Sequence, residues 1–277
     1  METKNHNIAK GDTLGKIAQQ YNTTVTELQR LNNLGNSTTI IAGRTLKVPA
    51  GKSDINDDKP STPSRPDNVP KLNITENLLT LGKRNRQGVK MIKIKAVALH
   101  WIAGPNGTNE AVRNWFESEQ AVGSTQYCID TAGNILRMIP EDEVGWHVGS
   151  SQNDPKSGRP YTDRARTLLG TEAFTGKSKE GFWITPNYFC LGIEMSHTDW
   201  NGTFTEATLQ SAAQLVADIL IRHNLTIDAV TTHYEIVGWK DCPKLWFNQP
   251  ALFEQFKERV EKILTVVNGH LSNSRRG

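Results

Sequence analysis

Residues 89–107 read VKMIKIKAVALHWIAGPNG. Ile92, Ile94, Val97 and Leu99 make an apolar, β-branched run that stops at His100, where a Gly- and Pro-bearing loop begins. This pattern predicts a buried strand whose last side chain, an imidazole, sits on a rigid base and faces a loop-built cleft. The pattern repeats downstream. STQYCID and GNILRMIP predict a hairpin around Thr131-Ala132-Gly133, and NYFCLGIEMS predicts another buried strand carrying Glu194 in apolar company. Leu209, Ala212, Leu215, Val216, Ile219 and Leu220 form the stripe of an amphipathic helix that Thr205 caps. DAVTTH predicts a last short strand delivering His233, and PALFEQFKERVEKIL a closing helix. Strands alternating with helices predict an α/β sheet domain.

The chain has 277 residues, enough for two domains, and its 36% hydrophobic and 22% charged residues are those of a globular protein. A net charge of +3 gives no argument for a nucleic-acid partner, and no segment has the apolar length of a membrane helix. The first residues, METKNHNIAKGDTLGKIAQQY, lack the apolar core of a signal peptide, so synthesis in the cytoplasm without an export label is expected. Three scattered cysteines make no disulfide framework and leave Cys242 free for other chemistry.

Residues 53–70, SDINDDKPSTPSRPDNVP, contain four prolines and almost nothing apolar, which predicts a semi-extended linker. It divides residues 1–52, with seven Lys and Arg against three Asp and Glu, from a nearly neutral 71–277. In the small segment, Leu14, Ile17, Ala18 and Tyr21 recur at helical spacing after Asp12 or Thr13, and Val25, Leu28 and Leu31 repeat the pattern. Gly43 turns into an alternating strand, RTLKVP, and with a first strand near 5–10 the order is βααβ. Gly11-Asp12-Thr13-Leu14, Ile17-Ala18, Tyr21, Leu28, Leu31-Asn32, Gly43, Leu46 and Val48-Pro49 resemble a LysM domain. That resemblance implies binding of N-acetylglucosamine-containing glycan such as peptidoglycan, through Gly11, Asp12, Thr13 and Leu14 and through residues 36–41. The same Gly, Asp and Asn residues also suit plain turns.

His100, His233 and Cys242 offer two imidazoles and a thiolate. Three protein ligands leave a tetrahedral zinc ion one open position, the mark of a catalytic site. ALHW, STQYCIDTAGNI, VGWHVG, LGIEMS and THYEIVGWKDCP stand in the order found in type-2 zinc-dependent N-acetylmuramoyl-L-alanine amidases, whose fold peptidoglycan recognition proteins share. The similarity spans about residues 90–260. It implies a mixed β-sheet flanked by helices, zinc at His100, His233 and Cys242, and hydrolysis of the amide between N-acetylmuramic acid and L-alanine. Cys242 argues against the non-catalytic recognition proteins. An endolysin-like role on the bacterial cell wall follows, with muramyl peptides as substrate and a monomer as the expected state; an autolysin of the same activity is the alternative.

Glu194 is the expected base, since a carboxylate in apolar surroundings can have a raised pKa, although a buried ion pair would also suit it. Lys240 is the expected oxyanion partner or else a surface charge. His147 lines the substrate groove or packs beside Trp146. Gln126 stands where many relatives have His. Cys128 and Cys190 read as buried apolar residues, and His197 and His223 have no evident partner. Residues 150–187 fit no regular period and are expected to form a cleft wall.

Overall fold

The computed structural model describes residues 3–9, 12–14, 17–18, 21, 23, 25–35, 37, 39–49, 72–102 and 104–274, with side chains to residue 266. The linker expected at 53–70 lies outside the described residues, as does Gly11. The chain forms two compact units, Met1–Ser61 and Thr62–Gly277.

In the small unit, β1 (Thr3–Asn7) pairs antiparallel with β2 (Thr45–Pro49), so the first strand ends earlier than the expected 5–10. Leu14, Ile17 and Ala18 are helical, and α1 (Val25–Leu31) follows. Ile8, Leu14, Ile17, Ala18, Leu28, Leu46 and Val48 close one core. Leu14 is therefore a packing residue: at 2% exposure its side chain cannot meet the glycan expected of it.

The large unit is a six-stranded mixed sheet. Its strands are β3 (Ile74–Glu76), β4 (Ala96–Trp101), β5 (Tyr127–Ile129), β6 (Ile135–Arg137), β7 (Cys190–Met195) and β8 (Val230–Thr232), in the order β3-β6-β5-β7-β4-β8. Every pairing is parallel except the expected β5–β6 hairpin. The strand foreseen from Ile92 begins only at Ala96, and Ile92 is exposed.

Alternation sets the two faces of β4 and β7. Val97, Leu99, Leu191, Ile193 and Met195 pack against α4 (Glu206–Arg222) and α7 (Pro250–Ser274) in one core. Thr205 caps α4 by accepting from Thr208 N, as expected. Ala96, Ala98 and Cys190 take the other face, in a core with Val144, Val148, Tyr161, Ala165, Leu169, Ile236 and Val237. Small residues on that second face leave room for polar side chains where the strands end.

Residues 150–187 are more ordered than their sequence suggests. They contain α3 (Asp163–Leu169), capped by the Thr162 hydroxyl, which buries only Ala165 and Leu169. So narrow an apolar stripe explains why no helical period was legible. The segment braces the loop that leads to Cys242: Thr162 Oγ1 donates to Glu235 O, Trp239 Nε1 donates to Ser150 Oγ, and Asp154 packs under Gly238. Gly238 has φ +78°, and a Cβ there would lie 2.2 Å from Asp154 Oδ1.

Candidate metal centre and catalytic site

His100 leaves the C-terminal half of β4 on the small-residue face, beside Glu194, its register partner on β7. His233 follows β8 directly as the first residue of α5 (His233–Val237), whose capping box of Thr232 and Glu235 sets where the helix starts. Cys242 comes from the loop after α5, with Tyr234 N donating to Cys242 O at 3.0 Å. All of these groups gather at the carboxyl ends of parallel strands, where open α/β sheets place their sites.

The ligand atoms of His100, His233 and Cys242 lie within 4.8 Å of one another, and all three residues are buried. Cys242 Sγ is 3.7 Å from His100 Nδ1. Two atoms bound tetrahedrally at usual zinc–nitrogen and zinc–sulfur lengths stand about 3.6 Å apart. Both ring nitrogens of His233 are buried without a hydrogen-bond partner among the described residues. A buried imidazole with nothing to bond calls for a further partner, and a metal ion supplies one. The donor set fits a metal.

Burial drives the electrostatics here. Desolvation, reinforced by the neighbouring rings and Lys240, holds His100 and His233 well below the usual histidine range. The imidazoles are thus neutral, the form that binds metal. Burial pushes the Cys242 thiol up to about 12, with the nearby Glu194 adding to the rise; metal binding would have to release this proton. Glu194 is partly buried, and its Oε2 is buried without a hydrogen-bond partner among the described residues. Desolvation raises it to about 8, and Lys240 opposes the rise. No ion pair to Glu194 occurs among the described residues.

Lys240 is exposed, yet its charge acts on His100, His233, Glu194 and Cys242. His147, expected in a groove wall or beside Trp146, is instead buried against His100. Its Nδ1 is 3.0 Å from His100 Nε2, and its Nε2 is 3.0 Å from Cys190 O. Desolvation lowers it to about 4.

Gln126 is a buried structural amide, donating to Glu143 O and accepting from Gly192 N. Cys128 and Cys190 are fully buried, as expected. His197 and His223 do have partners: His197 bonds Ile102 O and Asp199 O, and His223 Nε2 lies 3.3 Å from Glu141 Oε2. Asn187 was not foreseen. Its Oδ1 accepts from His147 N and Val148 N, a tie across 40 residues that leaves no local signal.

In the small unit, Asp12 Oδ2 accepts from Ala9 N and lies 3.0 Å from His6 Nε2, while His6 Nδ1 reaches Tyr21 Oη. Asp12 thereby shapes the turn after β1, and Thr13 is exposed beside it.

A buried His-His-Cys cluster next to a carboxyl whose proton affinity burial raises defines a site able to hold a metal ion beside an acid–base group. Residues 90–245, more than half of the chain, match the family profile described as N-acetylmuramoyl-L-alanine amidase, and the chain belongs to that family. Members of the family typically depend on a metal. Residues 6–49 match the LysM domain. Among curated relatives, a probable N-acetylmuramoyl-L-alanine amidase of Bacillus licheniformis is 26% identical over 197 residues, covering 70% of this chain and 48% of the relative. The N-acetylmuramoyl-L-alanine amidase BlyA of Bacillus subtilis (strain 168) is 27% identical over 188 residues, covering 68% and 46%. The chain spans about half the length of the curated relatives it matches. A solved mutant endolysin from Bacillus subtilis is 20% identical, covering 69% of this chain and 99% of its own, with a TM-score of 0.49. Among the described residues no helix is long and apolar enough to cross a membrane.

Proposed function

We propose that the chain is a zinc-dependent peptidoglycan hydrolase that cleaves the amide between N-acetylmuramic acid and L-alanine. The observation that carries this reading is the convergence of His100, His233 and Cys242 beside Glu194 in a chain of the amidase family. The three residues would hold zinc, which suits two neutral imidazoles and a thiolate better than oxygen-preferring cations do. When bound, zinc supplies Lewis-acid polarisation and acidifies water. Glu194 takes the proton of the attacking water and returns it to the leaving amine; desolvation raises its proton affinity in the metal-free protein, and a bound cation would favour the carboxylate form that this role needs. Lys240 places a positive charge where the oxyanion develops.

Residues 1–52 form the wall-binding domain in this reading, with Asp12 and Thr13 in the glycan-facing turn; residues 53–70 form the linker and 71–277 the catalytic domain. The same reaction serves a phage endolysin or a bacterial autolysin. Expression confined to late infection would identify the endolysin role.

The test joins metal analysis to product chemistry. Purified walls treated with the zinc-loaded protein should gain free L-alanine amino groups with no new reducing ends, at about one zinc per chain. New reducing ends, or L-alanine amino groups that appear regardless of metal removal, would refute the assignment.

A further inference from the structure

We infer that His147 is a positioning residue that selects the tautomer of His100 and so aims the Nδ1 lone pair of His100 at the metal. The inference rests on the proposed metal centre and adds a function for a residue outside the ligand set.

Hydrogen-bond direction runs one way through this pair. Cys190 O is a carbonyl and can only accept, so His147 Nε2, 3.0 Å away, carries a proton. His147 is buried and no carboxylate pairs with it among the described residues, so its ring carries a single proton and its Nδ1 accepts. His100 Nε2, 3.0 Å from that atom, must therefore donate, and His100 keeps its bare nitrogen at Nδ1. Nδ1 is the atom that faces Cys242 Sγ, at 3.7 Å. With the opposite tautomer, His100 would point an N–H at the metal position and could not ligate it.

The protein spends further structure on holding His147 in place. Asn187 Oδ1 accepts from His147 N at 2.9 Å and from Val148 N at 2.8 Å, fixing the backbone on both sides of the ring. Gly192 leaves the space the imidazole fills, since a Cβ there would lie 2.8 Å from both Cγ and Cδ2 of His147. The rings of His100 and His147 meet nearly edge-on, at 86°. Outer partners of this kind raise ligand basicity and fix ring orientation, and their loss typically weakens metal binding about 10–100-fold.

The test begins with the wild-type protein, labelled with nitrogen-15 and metal-free, using long-range proton–nitrogen correlation of the histidine rings. Both His147 and His100 should be protonated at Nε2 and bare at Nδ1, and zinc should then shift Nδ1 of His100. This measurement needs no variant. Chelator competition supplies the second readout: His147→Leu should raise the zinc Kd about 10–100-fold, and His147→Gln should recover much of that loss. The Gln amide can accept from His100 and donate to Cys190 O. A wild type that takes up no zinc overturns the metal centre itself. A zinc-binding wild type with His100 protonated at Nδ1, or an unchanged Kd in His147→Leu, overturns the relay alone.

Discussion

Replacing Glu194 by Gln should slow the enzyme while making its metal-free form more stable at alkaline pH. Gln keeps the shape of the side chain but cannot ionise. Burial holds the Glu194 carboxyl at about 8, against 4.5 for the unfolded chain. Between those values the folded protein binds more protons than the unfolded one, so this group's contribution to stability falls as pH rises and reaches its minimum above pH 8. The gap from 4.5 to about 8, at about 1.4 kcal/mol per pKa unit, amounts to about 5 kcal/mol. Metal-stripped wild type and E194Q should therefore differ by under about 1 kcal/mol at pH 5, and the variant should be the more stable by about 5 kcal/mol at pH 9. The buried histidines act with the opposite sign, gaining stability up to their unfolded pKa near 6.5; they are common to both proteins and drop out of the difference. Urea unfolding followed by tryptophan fluorescence is a suitable assay, because all seven tryptophans lie between residues 101 and 246 and report the large unit. In the zinc-loaded protein, turnover by E194Q should fall by about two to four powers of ten with zinc content unchanged. A stability difference that stays flat from pH 5 to pH 9 would refute the buried, unpaired carboxyl, and wild-type turnover would refute the base.

Cys242→Ser replaces a soft thiolate with a hydroxyl that stays protonated at neutral pH, so zinc measured by plasma emission should drop well below one per chain and activity with it. A chelator should silence the wild type, with zinc restoring turnover and calcium failing to do so. Lys240→Ala should keep its zinc while turnover falls, because an ammonium cannot ligate the metal; equal loss of both would place Lys240 among the groups that hold the centre. Deleting residues 1–52 should leave cleavage of soluble muramyl peptides intact and reduce lysis of whole walls, since a tethered second site raises local concentration. Undiminished wall binding by the truncated chain would count against a targeting role.

The sequence by itself determined several of the elements and singled out the candidate ligands. The apolar run into His100, the apolar run around Glu194 and the stripe of Leu215, Val216, Ile219 and Leu220 are local patterns that burial enforces on any chain of this kind. His233 and Cys242 stand nine positions apart, so one loop brings both to the site. Tertiary structure decided the partnerships. His147 reads as a groove residue or a neighbour of Trp146 while only VGWHVG is in view, yet strand order sets it against His100 and Cys190, 47 and 43 residues away. Asn187 and Gly192 hold it there through contacts that leave no periodic trace. Leu14 looks like part of a ligand turn until the small core closes over it. A local pattern reports which face of an element is buried, and only the packed sheet decides which polar groups meet once that burial is complete. That meeting sets their protonation, because removal from water and the direction of each hydrogen bond determine where the protons of His100, His147, Glu194 and Cys242 reside.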